Sequence, residues 1–125
     1  MPVKDVLDQF WRKRSGPVVL ATVGVDGLPN ATYCEAVNVY REDKIVIADN
    51  GFEYTRRNIL AGSKGSILFS TEDGKSYQVK GPMEYQTQGE IYDDMMKWLY
   101  PRFAGNAAIA LTVEEIDRGS EKLCG

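Results

Sequence analysis

Residues 45–70 read IVIADNGFEYTRRNILAGSKGSILFS, and the order of residue types within them decides the fold. The β-branched run Ile45-Val46-Ile47 is a strand that breaks at the turn-forming cluster Asp49-Asn50-Gly51. A helix-compatible segment opens near Tyr54 and stops at Gly62, and Ile67, Leu68 and Phe69 belong to another strand. The opening turn of that helix carries Thr55, Arg56, Arg57 and Asn58: a hydroxyl, a pair of guanidinium groups and an amide. A helix start exposes unpaired N–H groups and a partial positive charge, so cations and a hydroxyl beside it suit a phosphate dianion. A pair of arginines on an exposed turn also makes an ordinary solvated face, and the dipole alone favours acids there. The readings separate on whether the flanking strands build a pocket beside the turn.

Towards the N-terminus, Val3, Val6, Leu7, Phe10 and Trp11 share one face of a helix over 3–14, ended by Ser15-Gly16-Pro17. Its expected role is to cover one end of a sheet. Val18–Val23 is a buried-type strand, and Ala31–Tyr40 alternates as one long second strand. Arg41-Glu42-Asp43 turns the chain into a third at Lys44–Ala48. Towards the C-terminus, a strand at 64–71 leads through Glu72-Asp73-Gly74-Lys75, a hairpin signal, into a fifth over Ser76–Thr87. Gly81-Pro82 within it implies a bulge or an edge, since proline gives no N–H to a ladder.

Thr87-Gln88-Gly89-Glu90 has the capping-box pattern, so a helix starts there and ends before Pro101. Its apolar arc of Ile91, Tyr92, Met95, Met96, Trp98 and Leu99 is broader than one packing contact requires, and faces a barrel end or a second subunit. Ala107–Asp117 reads as a sixth strand and GSEKLCG, the last stretch, as a loose tail. Six antiparallel strands joined mostly by hairpins, with three short helices at the joints, make a mainly β Greek-key or meander barrel. It forms a single domain over 1–125. The helix at 54–61 falls where such a barrel crosses from one sheet to the other.

With 43% hydrophobic and 26% charged residues the composition is that of an ordinary globular protein, and the net charge of −3 argues against a nucleic-acid partner. No apolar stretch approaches the length of a membrane span and the N-terminus is amphipathic, so the expected location is cytoplasmic. Cys34 and Cys124 lack metal-type spacing, and no disulfide between them is expected in a reducing compartment. Histidine is absent, which removes a Ser-His-Asp triad, a His-based zinc site and a proximal haem ligand. Any redox or acid–base chemistry then falls to a bound cofactor.

Together these features resemble the FMN-binding split-barrel family, which includes pyridoxamine 5′-phosphate oxidase and the small FMN-binding proteins of sulfate-reducing bacteria. The resemblance covers residues 3–117. Its most specific piece is Tyr54-Thr55-Arg56-Arg57-Asn58-Ile59, against a family motif that often runs Lys-Thr-x-x-Asn and then an aliphatic residue. VVLATVGVDGLPN at 18–30, ATYCE at 31–35 and KGPME at 80–84 support it. The resemblance implies a six-stranded antiparallel split barrel, FMN as cofactor, and a homodimer with the flavin at its interface. It puts Thr55 and Asn58 on the flavin phosphate, with Arg56 or Arg57 neutralising it where Tyr54 replaces the usual lysine. Tyr54 itself would stack there. Thr32, Tyr33, Cys34 and Glu35 would line the ring and its sugar-alcohol chain, while Ala48, Asp49 and Gly51 would meet the ring edge. Glu35 beside a flavin would raise the cost of an anionic reduced ring. The basic residues that hold pyridoxal phosphate in the oxidase have no place on this chain.

The implied function is a redox carrier or small oxidoreductase, in which the flavin does the chemistry and the protein supplies binding, orientation and electrostatics. Its partner would be a small molecule or a redox protein, with neither nucleic acid nor membrane, and no residue stands out as a positioned acid or base. A second reading on the same scaffold is a nicotinamide- or deazaflavin-dependent reductase, with Arg56, Arg57, Lys64 and Lys80 forming an extended basic groove. A third is a non-enzymatic β-barrel binding module that stacks single-stranded nucleic acid on Tyr33, Tyr77 and Tyr85, against which the acidic charge counts.

Overall fold

In a computed structural model that describes residues 1–125, the chain forms two antiparallel sheets and three α-helices. Helix α1 (Val3–Phe10) and a 3₁₀ turn (Trp11–Lys13) lead into β1 (Arg14–Val23), β2 (Pro29–Cys34), β3 (Val37–Tyr40) and β4 (Lys44–Asp49). After α2 (Tyr54–Leu60) come β5 (Gly65–Thr71), β6 (Ser76–Gly81) and β7 (Met83–Gln86). Helix α3 (Glu90–Trp98) precedes β8 (Ala107–Thr112), β9 (Glu115–Arg118) and β10 (Glu121–Cys124). One sheet has six strands in the order β10-β9-β6-β5-β1-β2, and the other has four in the order β3-β4-β8-β7. The chain therefore visits the sheets in consecutive pairs of strands. No helix is long and apolar enough to cross a membrane.

The mainly β split barrel and its three helices are as the sequence implies, but the strands are more numerous. The single strands expected over 31–40, 76–87 and 107–117 each divide between the sheets. At the first break, the Val37 amide donates to the Glu35 carbonyl at 3.0 Å and the Ala48 amide to Ala36 at 2.9 Å. At the second, Pro82 has no N–H to lose from a ladder, and Gly81 is so close to the next strand that a β-carbon would overlap the Thr112 carbonyl. At the third, the Val113 amide crosses to Asp43 at 2.9 Å and that of Glu114 to Lys80 at 2.8 Å. The expected crossing helix at 54–61 is α2, which carries the chain from β4 to β5.

Two local expectations are corrected. The C-terminal tail is not loose: β10 pairs with β9, and the N-terminal ammonium donates to the Leu123 carbonyl at 2.9 Å. The capping box does not close either. Gly89 occupies the cap position at φ +103, a value suited to glycine, and the Glu90 carboxylate pairs with Arg41 at 3.1 Å.

Alternation along β4 and β8 explains where the cores lie. Ile45, Ile47, Ile109 and Leu111 face inward, to the main core between the sheets. Val6, Leu7 and Trp11 of the N-terminal segment close that core, with Trp11 edge-on to Phe69 at 5.1 Å and Phe10 stacked on Tyr77 at 4.9 Å. Full burial of each such side chain stabilises by roughly 1.5–3 kcal/mol. The residues of opposite parity, Val46, Ala48, Ala108 and Ala110, face outward and meet Met95 and Leu99 of α3. The broad arc of α3 therefore covers the outer face of the four-stranded sheet rather than a barrel end, and Met96 is left exposed.

Candidate functional site

The turn between β4 and α2 is built on one buried carboxylate. Asp49 Oδ1 accepts the amides of Gly51 at 2.8 Å and Phe52 at 2.7 Å, and Oδ2 accepts the Tyr85 phenol at 2.5 Å. Helix α2, only seven residues long, is too short to be stable on its own and is held by contacts with the barrel. Ile59 is buried in the main core. Asn58 Nδ2 donates to Thr22 Oγ1 on β1, and Asn30 Nδ2 on β2 donates to Thr55 Oγ1, both at 3.0 Å. Each bond of that kind contributes about 0.5–1.5 kcal/mol net.

Charge at the helix is unevenly committed. Arg57 pairs with Glu53 at 3.2 Å and lies over the Tyr54 ring at 5.2 Å, whereas the exposed Arg56 forms no ion pair. The Arg57–Glu53 pair is solvent-exposed and worth at most about 1 kcal/mol, so it yields readily to a stronger anion. Burial, then the bond to Asp49, pushes the Tyr85 phenol up to about 12, and the Arg56 charge works against that rise. Burial likewise pushes the Cys34 thiol up to about 12.

The candidate residues fall around two clefts. Tyr54, Arg57 and Asn58 line one of about 300 Å³, together with Gly24, Asp26 and Asn30 of the β1–β2 connection. Tyr33, Cys34, Glu35 and Ala48 line another of about 220 Å³, together with Phe52 and Phe103. Thr32, Asp49, Gly51, Thr55 and Arg56 line neither of these. Thr55 is 2% exposed and serves as the partner of Asn30. A cleft does lie beside the helix turn, on the side of the β1–β2 connection.

The groups needed by the other readings do not assemble. Lys64 and Lys80 line a separate cleft with Glu114 and Glu115, and each lysine is paired with an acid there, at 3.0 and 3.4 Å. Neither Arg56 nor Arg57 reaches that cleft, so the four cations form no continuous basic groove. Tyr77 is 1% exposed in the core and Tyr85 is bonded to Asp49, which leaves only Tyr33, at 75% exposed, as a stacking surface. Sequence reasoning passed over Thr22 and Asn30, which position Asn58 and Thr55, and named Tyr85 only as a stacking surface, whereas it positions Asp49. An asparagine inside a strand, as at Asn30, was the available signal, because that residue type is depleted in strands.

The sequence profile of the pyridoxamine 5′-phosphate oxidase family matches residues 3–120. An uncharacterised protein of Methanocaldococcus jannaschii is 33% identical over 104 residues, covering 79% of this chain and 70% of its own length. The crystal structure of HupZ from Group A Streptococcus superposes with a TM-score of 0.79 at 26% identity, over 98% of this chain and 96% of that one. An FMN-binding protein from Syntrophomonas wolfei shares the fold at a TM-score of 0.70 and 16% identity, over 94% and 84% of the two chains.

Proposed function

The chain belongs to the pyridoxamine 5′-phosphate oxidase family, and on that footing we propose that it is an FMN-binding flavoprotein, a redox carrier or small oxidoreductase. The observation that carries this reading is the cleft beside the α2 turn, lined by Arg57 and Asn58, with the exposed guanidinium of Arg56, free of any ion pair, on the same helix. The donor set fits a phosphate monoester. Arg56 and Arg57 supply charge, and Asn58 supplies an amide whose second proton is not needed by Thr22. Thr55 acts through Asn30, holding it at the same cleft. The Syntrophomonas wolfei protein of the same fold is FMN-binding by name, which supports the choice of cofactor.

The second cleft would take the ring, between Tyr33, Cys34 and Glu35 on one side and Ala48 and Phe52 on the other. Thr32, Asp49 and Gly51 are chain neighbours of its lining residues Tyr33, Ala48 and Asn50 without lining it themselves. Bound there, the isoalloxazine supplies the capacity to accept and release electrons. The Cys34 thiol, pushed up to about 12 by burial, stays protonated and is inert as a nucleophile. Glu35 disfavours negative charge on its neighbour and so works against an anionic reduced ring.

A homodimer belongs to the same proposal. On the outer face of the six-stranded sheet, Tyr33, Val19 and Leu68 are cross-strand neighbours in one apolar row. Tyr33 and Leu68 are 75% and 41% exposed, and a second copy would cover them beside the ring cleft. The direct test is an absorption spectrum of the purified protein followed by titration with FMN. A yellow preparation, or saturable uptake by the stripped protein, is the expected result. A colourless protein that takes up no FMN would defeat the proposal.

A further inference from the structure

A further cleft, of about 380 Å³, opens between the Glu35-Ala36 break and the segment that follows α3. Asn38, Trp98, Tyr100, Arg102 and Phe103 line it, and it shares Glu35, Ala36 and Phe103 with the proposed ring cleft, so the two are adjacent. The 100–105 segment is pinned in place. Its Phe103 amide donates to the Tyr100 carbonyl at 3.0 Å, the Gly105 amide to Asn50 Oδ1 at 2.9 Å, and the Tyr92 phenol to the Gly105 carbonyl at 3.0 Å.

Within that segment the Arg102 guanidinium sits 5.0 Å from the Phe103 ring centroid and 5.7 Å from that of Tyr100, and no carboxylate pairs with it. An arginine steadied by aromatic faces keeps its fork of N–H donors oriented for a planar carboxylate. We propose that this cleft binds a small planar aromatic monoacid, its ring against Tyr100 and Phe103 and its carboxylate on Arg102. Glu35, on the facing wall, repels a second negative charge and so selects monoanions over dianions. As a substrate seat beside a flavin this inference rests on the flavin reading, but the binding itself needs no FMN.

The chain reports on the cleft directly, because Trp11 is buried in the core and Trp98 is the only other tryptophan. Quenching of tryptophan emission should be measured with 4-nitrobenzoate and with the neutral 4-nitrobenzamide, on FMN-free and FMN-saturated protein. Saturable quenching by the acid is expected, about tenfold tighter than by the amide, as one charge-assisted hydrogen-bond pair allows. Arg102→Gln should erase that preference while leaving amide binding within about twofold, and Glu35→Gln should tighten the acid about threefold. Trp98→Phe should remove the signal. Absence of quenching, equal binding of acid and amide, an unaffected Arg102→Gln, or quenching that survives Trp98→Phe would each overturn the inference. FMN uptake is read separately by flavin fluorescence, so its failure would remove the flavin reading and leave the cleft result standing.

Discussion

The Tyr85 phenol on β7 reaches the Asp49 carboxylate at the end of β4, a 2.5 Å bond between strands that β8 separates. Ala107, the cross-strand partner of Asp49, and the inward parity of both side chains make that reach feasible. The same carboxylate holds the amides of Gly51 and Phe52, so a single buried group joins the sheet edge to the turn that launches α2. Tyr85→Phe should keep the packing but leave Oδ2 without a donor, costing about 2 kcal/mol. A lower urea midpoint at unchanged slope is the expected result. Asp49→Ala, which also strands two amides, should cost more.

Alkali should expose the same bond. The folded Tyr85 phenol titrates at about 12 against an ordinary 10.0, and the folded Cys34 thiol at about 12 against 9.0. Both are raised, so the unfolded chain sheds these protons first and stability falls as pH rises. The contribution of Cys34 is complete below pH 9.0 and that of Tyr85 below pH 10.0; both are lost on the way to about 12. Urea midpoints should be flat with respect to these groups at neutral pH and then decline. Cys34→Ala should delay the onset of the decline, and Tyr85→Phe should make its upper part shallower.

The arginines of α2 should not be equivalent. Arg57 is engaged by Glu53 and stacked on Tyr54, while Arg56 is uncommitted. Arg57→Gln, at the cleft itself, should weaken FMN binding about tenfold or more, the scale of a lost charge-assisted pair, and Arg56→Gln, outside the cleft lining, should weaken it less. Quenching of flavin fluorescence on titration would rank them. Equal losses would mean that both guanidinium groups reach the phosphate.

Self-association is testable at Leu68. A lysine there places a charge in the row with Val19 and Tyr33, and a buried unpaired charge costs several kcal/mol. Size-exclusion chromatography with light scattering should give a dimer for the native chain and a monomer for Leu68→Lys at the same concentration. A native monomer carrying FMN would separate the cofactor from the dimer and remove the latter.

The candidate site could be proposed from the sequence because its groups lie close together in the chain. Thr55, Arg56, Arg57 and Asn58 fall within one helical turn, and Tyr33, Cys34 and Glu35 follow one another into the first strand break. The breaks were not legible. Alternation holds on either side of the first break but not across it, since Cys34 and Val37, three residues apart, both reach the main core. On each side a two-residue period looks the same whether a strand stays in its sheet or leaves it. Only Gly81-Pro82 left a local trace, since a missing N–H is written in the residue itself. The exposure of the tyrosines was equally hidden, because alternation marks faces without saying which one another layer covers.

The three helices, the stretches that form strand and the chemical groups at the 54–58 turn came from the sequence alone, since each is dictated by local stereochemistry and by residue type. Long-range pairing decided the rest: Asp49 with Tyr85, Asn58 with Thr22, Asn30 with Thr55, and α3 against an alanine-paved sheet face. The hydrogen-bonded partners alone are 25 to 36 residues apart along the chain. Their meeting depends on where the chain changes sheets, a free-energy balance over the whole barrel that no short stretch of residues encodes.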